Sequence, residues 1–136
     1  MRVIVAAVGR LKSGAERALF DKYRIRLEPV GRTVGLAPIT WHELAESRAA
    51  TAAQRRSEEG EALIKAARAA DVLICLDAAG AMLTSRDFAR LIGTVRDEGT
   101  KTLALLVGGA DGLGKAAGTR ARTSLSFGPI DRKSVV

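Results

Sequence analysis

The 136-residue chain is poor in the residue types that build several common kinds of site. It has one cysteine, Cys75, so a disulfide framework is excluded and a reducing compartment fits. Cys75 sits inside Val-Leu-Ile-Cys-Leu, a setting in which a thiol acts as a small hydrophobe. With one cysteine and one histidine there is no Cys–His cluster, and no metal site is indicated. The single histidine, His42, stands beside Trp41 without an identified acid–base partner and reads as a packing residue. No Gly-x-Ser-x-Gly element occurs, so serine hydrolase chemistry has no support. Aromatic residues are only 4% of the chain, so the core must come from Ala, Val, Leu and Ile. No apolar run approaches the roughly 18 residues that cross a bilayer. The apolar stretch at 3–8 is too short for a secretion signal, and Arg10 and Lys12 stand where cleavage would fall. These absences point to a cytoplasmic chain folded as one domain over 1–136.

What the chain does have is positive charge and a strict alternation of element types. Lys plus Arg total 22 against 15 Asp plus Glu, a formal charge of +7. Such an excess favours a polyanionic partner, with nucleic acid the commonest. Arg10, Lys12, Arg17, Lys22, Arg24, Arg26 and Arg32 crowd the first part of the chain. They fit a solvated helix face or a phosphate-contacting surface equally well. The apolar pattern predicts strands at 2–8, 39–44, 71–76, 103–107 and 124–127, with a turn at 78–80. Between them it predicts a helix stopped by Pro29 and Gly31 and a long helix from a Thr51/Gln54 capping box to about Ala69. A third helix is capped by Thr84 or Ser85 and carries Phe88, Leu91, Ile92 and Val95 on one face. This order predicts an α/β fold with a largely parallel sheet flanked by helices.

The most informative segment is 103–114, Leu-Ala-Leu-Leu-Val-Gly-Gly-Ala-Asp-Gly-Leu-Gly. A continuous apolar run is the mark of a parallel strand covered on both faces. Glycines at its carboxyl end let backbone turn sharply and approach a ligand closely. Residues 109–116 fall one position short of a phosphate-cradling P-loop, because Ala116 replaces the hydroxyl that would hold magnesium. Asp111 would also repel phosphate. A ligand-binding loop that needs no metal is the better reading, with the P-loop and a bare turn as alternatives.

Several stretches together resemble the large-subunit rRNA methyltransferase H group of the SPOUT methyltransferases. They are Leu-Leu-Val-Gly-Gly-Ala-Asp-Gly-Leu at 105–113 and Val-Ala-Ala-Val-Gly-Arg-Leu-Lys at 5–12. Shorter matches are Glu46-Ser47-Arg48, Leu76-Asp77-Ala78-Ala79-Gly80 and Ser-Leu-Ser-Phe-Gly-Pro-Ile at 124–130. The resemblance implies an α/β trefoil-knotted fold, a homodimer and S-adenosylmethionine as methyl donor. It implies methylation of N3 of a pseudouridine in 23S rRNA of the large ribosomal subunit. The family's donor-binding positions fall on Leu76, Gly109, Ser126, Phe127, Gly128, Pro129 and Ile130. No general base is identifiable, so no catalytic residue is assigned.

After Ile130 the chain departs from the family pattern and reads Asp-Arg-Lys-Ser-Val-Val. Here the family continues into its knot-forming final helix, which is missing, so weak or absent activity is expected of this form. Apolar surface around 103–107 and Leu125 is expected to be exposed as a result. A basic RNA-binding remnant without catalysis is the alternative to the enzyme, ahead of a P-loop-like nucleotide-binding protein.

Overall fold

A computed structural model describes residues 1–9, 15–82, 84–108 and 123–126. The elements run β1 (Arg2–Val8), α1 (Ala15–Thr33), β2 (Ile39–Leu44), α2 (Ala52–Ala66), β3 (Val72–Met82), α3 (Ser85–Asp97), β4 (Thr102–Val107) and β5 (Thr123–Ser126). The strands form one sheet in the order β2-β1-β4-β3-β5, and every neighbouring pair is parallel. The α/β architecture read from the alternation is therefore present.

Strand order and crossover handedness decide which helix lies on which face. The steps β1 to β2 and β3 to β4 move along the sheet in one direction, and β2 to β3 moves in the other. Right-handed crossovers then put α1 and α3 on one face and α2 on the opposite one. Packing agrees. Leu63 and Ala67, from α2 and its carboxyl cap, are buried with Ala6, Val8, Leu73, Cys75, Ala104 and Leu106. Val95 of α3 is buried with Ile74 and Leu103, joined by the partly buried Phe88, Leu91 and Ile92. Val3 pairs with both Ile39 and Leu103, so these three share the α3 face. A Cβ on Gly31 of α1 would come within 3.2 Å of the Ile39 side chain, which sets α1 on that face too.

Local sequence explains the helix ends. The Thr51 hydroxyl accepts the Gln54 N–H at 3.1 Å and starts α2. Thr84, not Ser85, caps α3 by accepting the Asp87 N–H at 3.1 Å. α1 runs through Pro29 and Gly31, where the sequence predicted a stop. An interior proline removes one backbone donor, and here the Pro29 carbonyl accepts the Thr33 hydroxyl at 3.0 Å. Gly31 serves close approach instead: a Cβ there would stand 2.6 Å from the Leu36 carbonyl oxygen.

β3 also departs from expectation. It continues past Leu76 to Met82, where a turn at 78–80 was predicted. Leu76 and Ala81 both register with Leu125, so residues 77–80 have no counterpart in β5. Pairing with β5 on either side of the insertion is what local sequence could not show. The expectation of exposed apolar surface at 103–107 is overturned as well. β4 is the central strand, covered on both faces, and Leu103, Ala104 and Leu106 are fully buried. The side chain of Leu125 lies outside the described residues. Among the described residues, exposed large apolar side chains occur instead on α1, at Ile25, Leu27 and Val30, and at Val34 just after it.

Candidate functional site at the carboxyl edge of the sheet

With all strands parallel, their carboxyl ends gather along one edge. The chain leaves β1 toward β2 on one side, while β4 and β3 lie on the other. A reversal of this kind opens a crevice at the carboxyl ends, where open α/β sheets bind ligands. The end of β1 is Val8, followed by Gly9 at φ +104°, a conformation that side chains rarely adopt. The Gly9 N–H donates to the Leu44 carbonyl at 2.7 Å, tying the ends of β1 and β2 together.

Leu76 pairs with Val107 on β4 and with Leu125 on β5. Ser126 follows Leu125 and pairs with Met82. The fold thus brings Leu76 and Ser126, which are far apart in sequence, onto adjacent strands at one edge. The Leu76 side chain is half-buried and packs against the Ile74–Val95–Leu103 cluster, so backbone is what it offers the edge. Gly109, Phe127, Gly128, Pro129 and Ile130 lie outside the described residues, as do Asp111 and Ala116 of the P-loop comparison.

Cys75 and His42 behave as the sequence suggests. Cys75 is fully buried in the α2-side core. His42 is half-buried on β2 opposite Ala6. Among the described residues, no group of three or more His, Cys, Asp or Glu is placed to hold a metal ion. A cavity of about 560 Å³ opens at the opposite, amino-terminal edge, bordered by Met1, Arg2, Asp71 and Lys101. Its one carboxylate, Asp71, already accepts the N–H groups of Lys101 at 3.0 Å and Thr102 at 3.1 Å. Neither Leu76 nor Ser126 lines that cavity.

Sequence reasoning missed Glu59. This carboxylate of α2 is only 5% exposed and accepts the Ser47 N–H at 2.8 Å. The Ser47 hydroxyl bonds to Glu58 and accepts the Ala49 N–H at 3.1 Å, while Arg55 donates to the Ala49 carbonyl at 3.0 Å. Together they pin the β2–α2 crossing beside the mouth, where Glu46 lies within 3.5 Å of where a Gly9 side chain would begin. The second oxygen of Glu59 is buried without a hydrogen-bond partner. The signal was available: Glu59 stands four positions before Leu63, on the buried stripe of α2.

An open, all-parallel α/β sheet with a topological reversal defines a class of proteins that bind nucleotide-like ligands at strand ends. Comparison with known proteins narrows the class. A family model described as "Predicted SPOUT methyltransferase" matches residues 1–131. The chain is 45% identical over 128 residues to a protein of Xanthobacter autotrophicus named Ribosomal RNA large subunit methyltransferase H. It is 44% identical to proteins of the same name from a Bradyrhizobium species and from Nitrobacter winogradskyi. Each alignment covers 94% of this chain and 80% of the relative. The chain belongs to the SPOUT methyltransferase family.

Proposed function

We propose that the chain transfers a methyl group from S-adenosylmethionine to N3 of a pseudouridine in 23S rRNA of the large ribosomal subunit. The observation that carries this reading is the convergence of Leu76, Val107 and the Leu125–Ser126 pair at the carboxyl edge. Neighbouring parallel strand ends there can offer backbone donors and acceptors beside apolar side chains, the lining that an adenine ring needs. Gly109 and 126–130 would complete that lining. The bound donor supplies an electrophilic methyl group on a sulfonium sulfur, a chemistry that requires neither magnesium nor a P-loop lysine.

The protein's part is positioning. Methyl transfer needs the acceptor nitrogen in line with the carbon–sulfur bond, so a rigid edge that fixes one partner does much of the catalytic work. The Gly9–Leu44 hydrogen bond and the Glu59–Ser47 anchor hold the β1–β2 side of the mouth rigid. Names of the relatives support rRNA as the acceptor. We propose a cytoplasmic location, which suits a ribosomal substrate. No helix among the described residues is long and apolar enough to cross a membrane. We also propose that it acts as a homodimer. Leu27 and Val30 on α1 and Val34 just beyond its end are exposed, which suits burial against a second copy.

Titration calorimetry with S-adenosylmethionine against ATP–magnesium tests the ligand. Nucleoside mass spectrometry of rRNA from unmethylated large subunits incubated with the protein and donor tests the reaction. The expected outcome is heat with the methyl donor alone and a gain of one methyl on a pseudouridine. Binding of ATP–magnesium without the donor would overturn the reading.

A further inference from the structure

The sequence concentrates cations early in the chain, and the structure divides them. Arg24 is ion-paired with Asp21 at 3.7 Å. Lys22 and Arg26 of the same helix are exposed, with no ion-pair partner among the described residues. A second pair, Arg86 and Arg90 of α3, is exposed and equally unpartnered, while Arg96 engages Asp97 at 3.0 Å. Phe88, Leu91, Ile92 and Val95 turn inward, which puts Arg86 and Arg90 on the outer side of α3, one turn apart. Gly31 marks the inward side of α1, and Lys22 and Arg26 lie on the far side of that helix.

The two helices share a face of the sheet and are joined at their carboxyl ends, where Arg96 donates to the Val34 carbonyl at 2.7 Å. Measured from that junction, Arg26 and Lys22 stand about 12 and 18 Å up α1, and Arg90 and Arg86 about 9 and 15 Å up α3. The four cations therefore lie at matching heights on neighbouring helices. The opposite face differs. On the α2 side the exposed charges Glu58, Glu61, Lys65 and Arg68 cancel.

We propose that Lys22, Arg26, Arg86 and Arg90 form a surface that tracks the phosphate backbone of RNA, so that the substrate lies against the α1/α3 face. The proposal rests on the reading of this chain as an RNA methyltransferase and adds the face that the RNA meets. Cations without an ion-pair partner among the described residues release bound counterions when phosphates replace them, the sequence-independent source of nucleic-acid affinity. An anionic membrane would also attract them. However, the apolar side of α3 is committed to the core, so α3 cannot insert into lipid, and its two arginines suit a polyanion that comes to the surface.

The test titrates a mixed-sequence single-stranded RNA against the wild type and three double variants across a salt series. The variants are Lys22→Ala with Arg26→Ala, Arg86→Ala with Arg90→Ala, and, on the α2 side, Lys65→Ala with Arg68→Ala. Each of the first two should reduce the slope of log K against log salt by about 1.4 and weaken binding about tenfold near 0.15 M salt. The α2-side pair should keep the wild-type slope, and all three should retain wild-type affinity for S-adenosylmethionine. A wild-type slope in the Arg86/Arg90 variant, or an equal loss in the α2-side pair, would overturn the proposal. So would loss of binding to phosphatidylserine vesicles with RNA binding intact. Failure of donor binding in every protein, with the RNA results as expected, would sink the methyltransfer reading and leave this surface standing.

Discussion

The two faces of the sheet are built differently. On the α2 face the helix is sealed against the strands, with Leu63 fully buried and the crossing loop fastened through Ser47 to Glu58 and Glu59. On the other face, α3 is sealed in the same way, but α1 touches the sheet closely at Gly31 and leaves Val30 59% exposed. The same face carries Lys22, Arg26, Arg86 and Arg90, which have no ion-pair partner among the described residues. Among the described side chains, full burial against the central strands falls on α2 and α3, while α1 exposes apolar and basic residues.

The sharpest way to break this comparison is Leu63→Ala. Removing a fully buried leucine should lower stability by about 3 kcal/mol, read as a shift of the urea midpoint. Val30→Ala on α1 should move that midpoint by less than about 0.5 kcal/mol at dilute concentration. If it changes anything, it should be the sedimentation behaviour at high concentration. Equal effects of the two substitutions would show that α1 is as much a part of the core as α2.

Gly31→Ala comes next. A methyl group 2.6 Å from the Leu36 carbonyl must push α1 away from that contact, at about 2 kcal/mol. Glu59→Ala should cost about 1.5 kcal/mol, because the part-buried Ser47 N–H loses its acceptor. That variant should also weaken donor-dependent methylation more than it weakens RNA binding, since the loop it frees borders the mouth. Thr84→Ala, which removes the α3 cap, should cost about 1 kcal/mol and leave RNA affinity unchanged.

Most of the element order was legible from short-range pattern. β1 and β2 fall on the predicted bounds, and both capping threonines were named, one of them as an alternative to its neighbour. The errors share a cause. Pro29 and Gly31 read as a helix stop because propensity is local, whereas the return of the chain through Leu36 and Ile39 makes α1 continue and makes Gly31 necessary. The turn at 78–80 became an insertion within a longer strand because β5, more than forty positions later, pairs on both sides of it. The candidate site was half legible. Leu76 and Ser126, named from motif resemblance, lie on adjacent strands, whereas Glu59 of α2 was not singled out.

By itself, the sequence determined the α/β class, the apolar and parallel character of β1 and β4, the buried state of Cys75 and the excess of positive charge. Those properties follow from side-chain type and spacing, which act over a few residues. Tertiary structure alone decided the strand order, the face each helix covers, the buried anchor at Glu59 and which cations stay unpaired. These depend on contacts between segments distant in the chain. Burial and ion pairing are settled only when such segments meet.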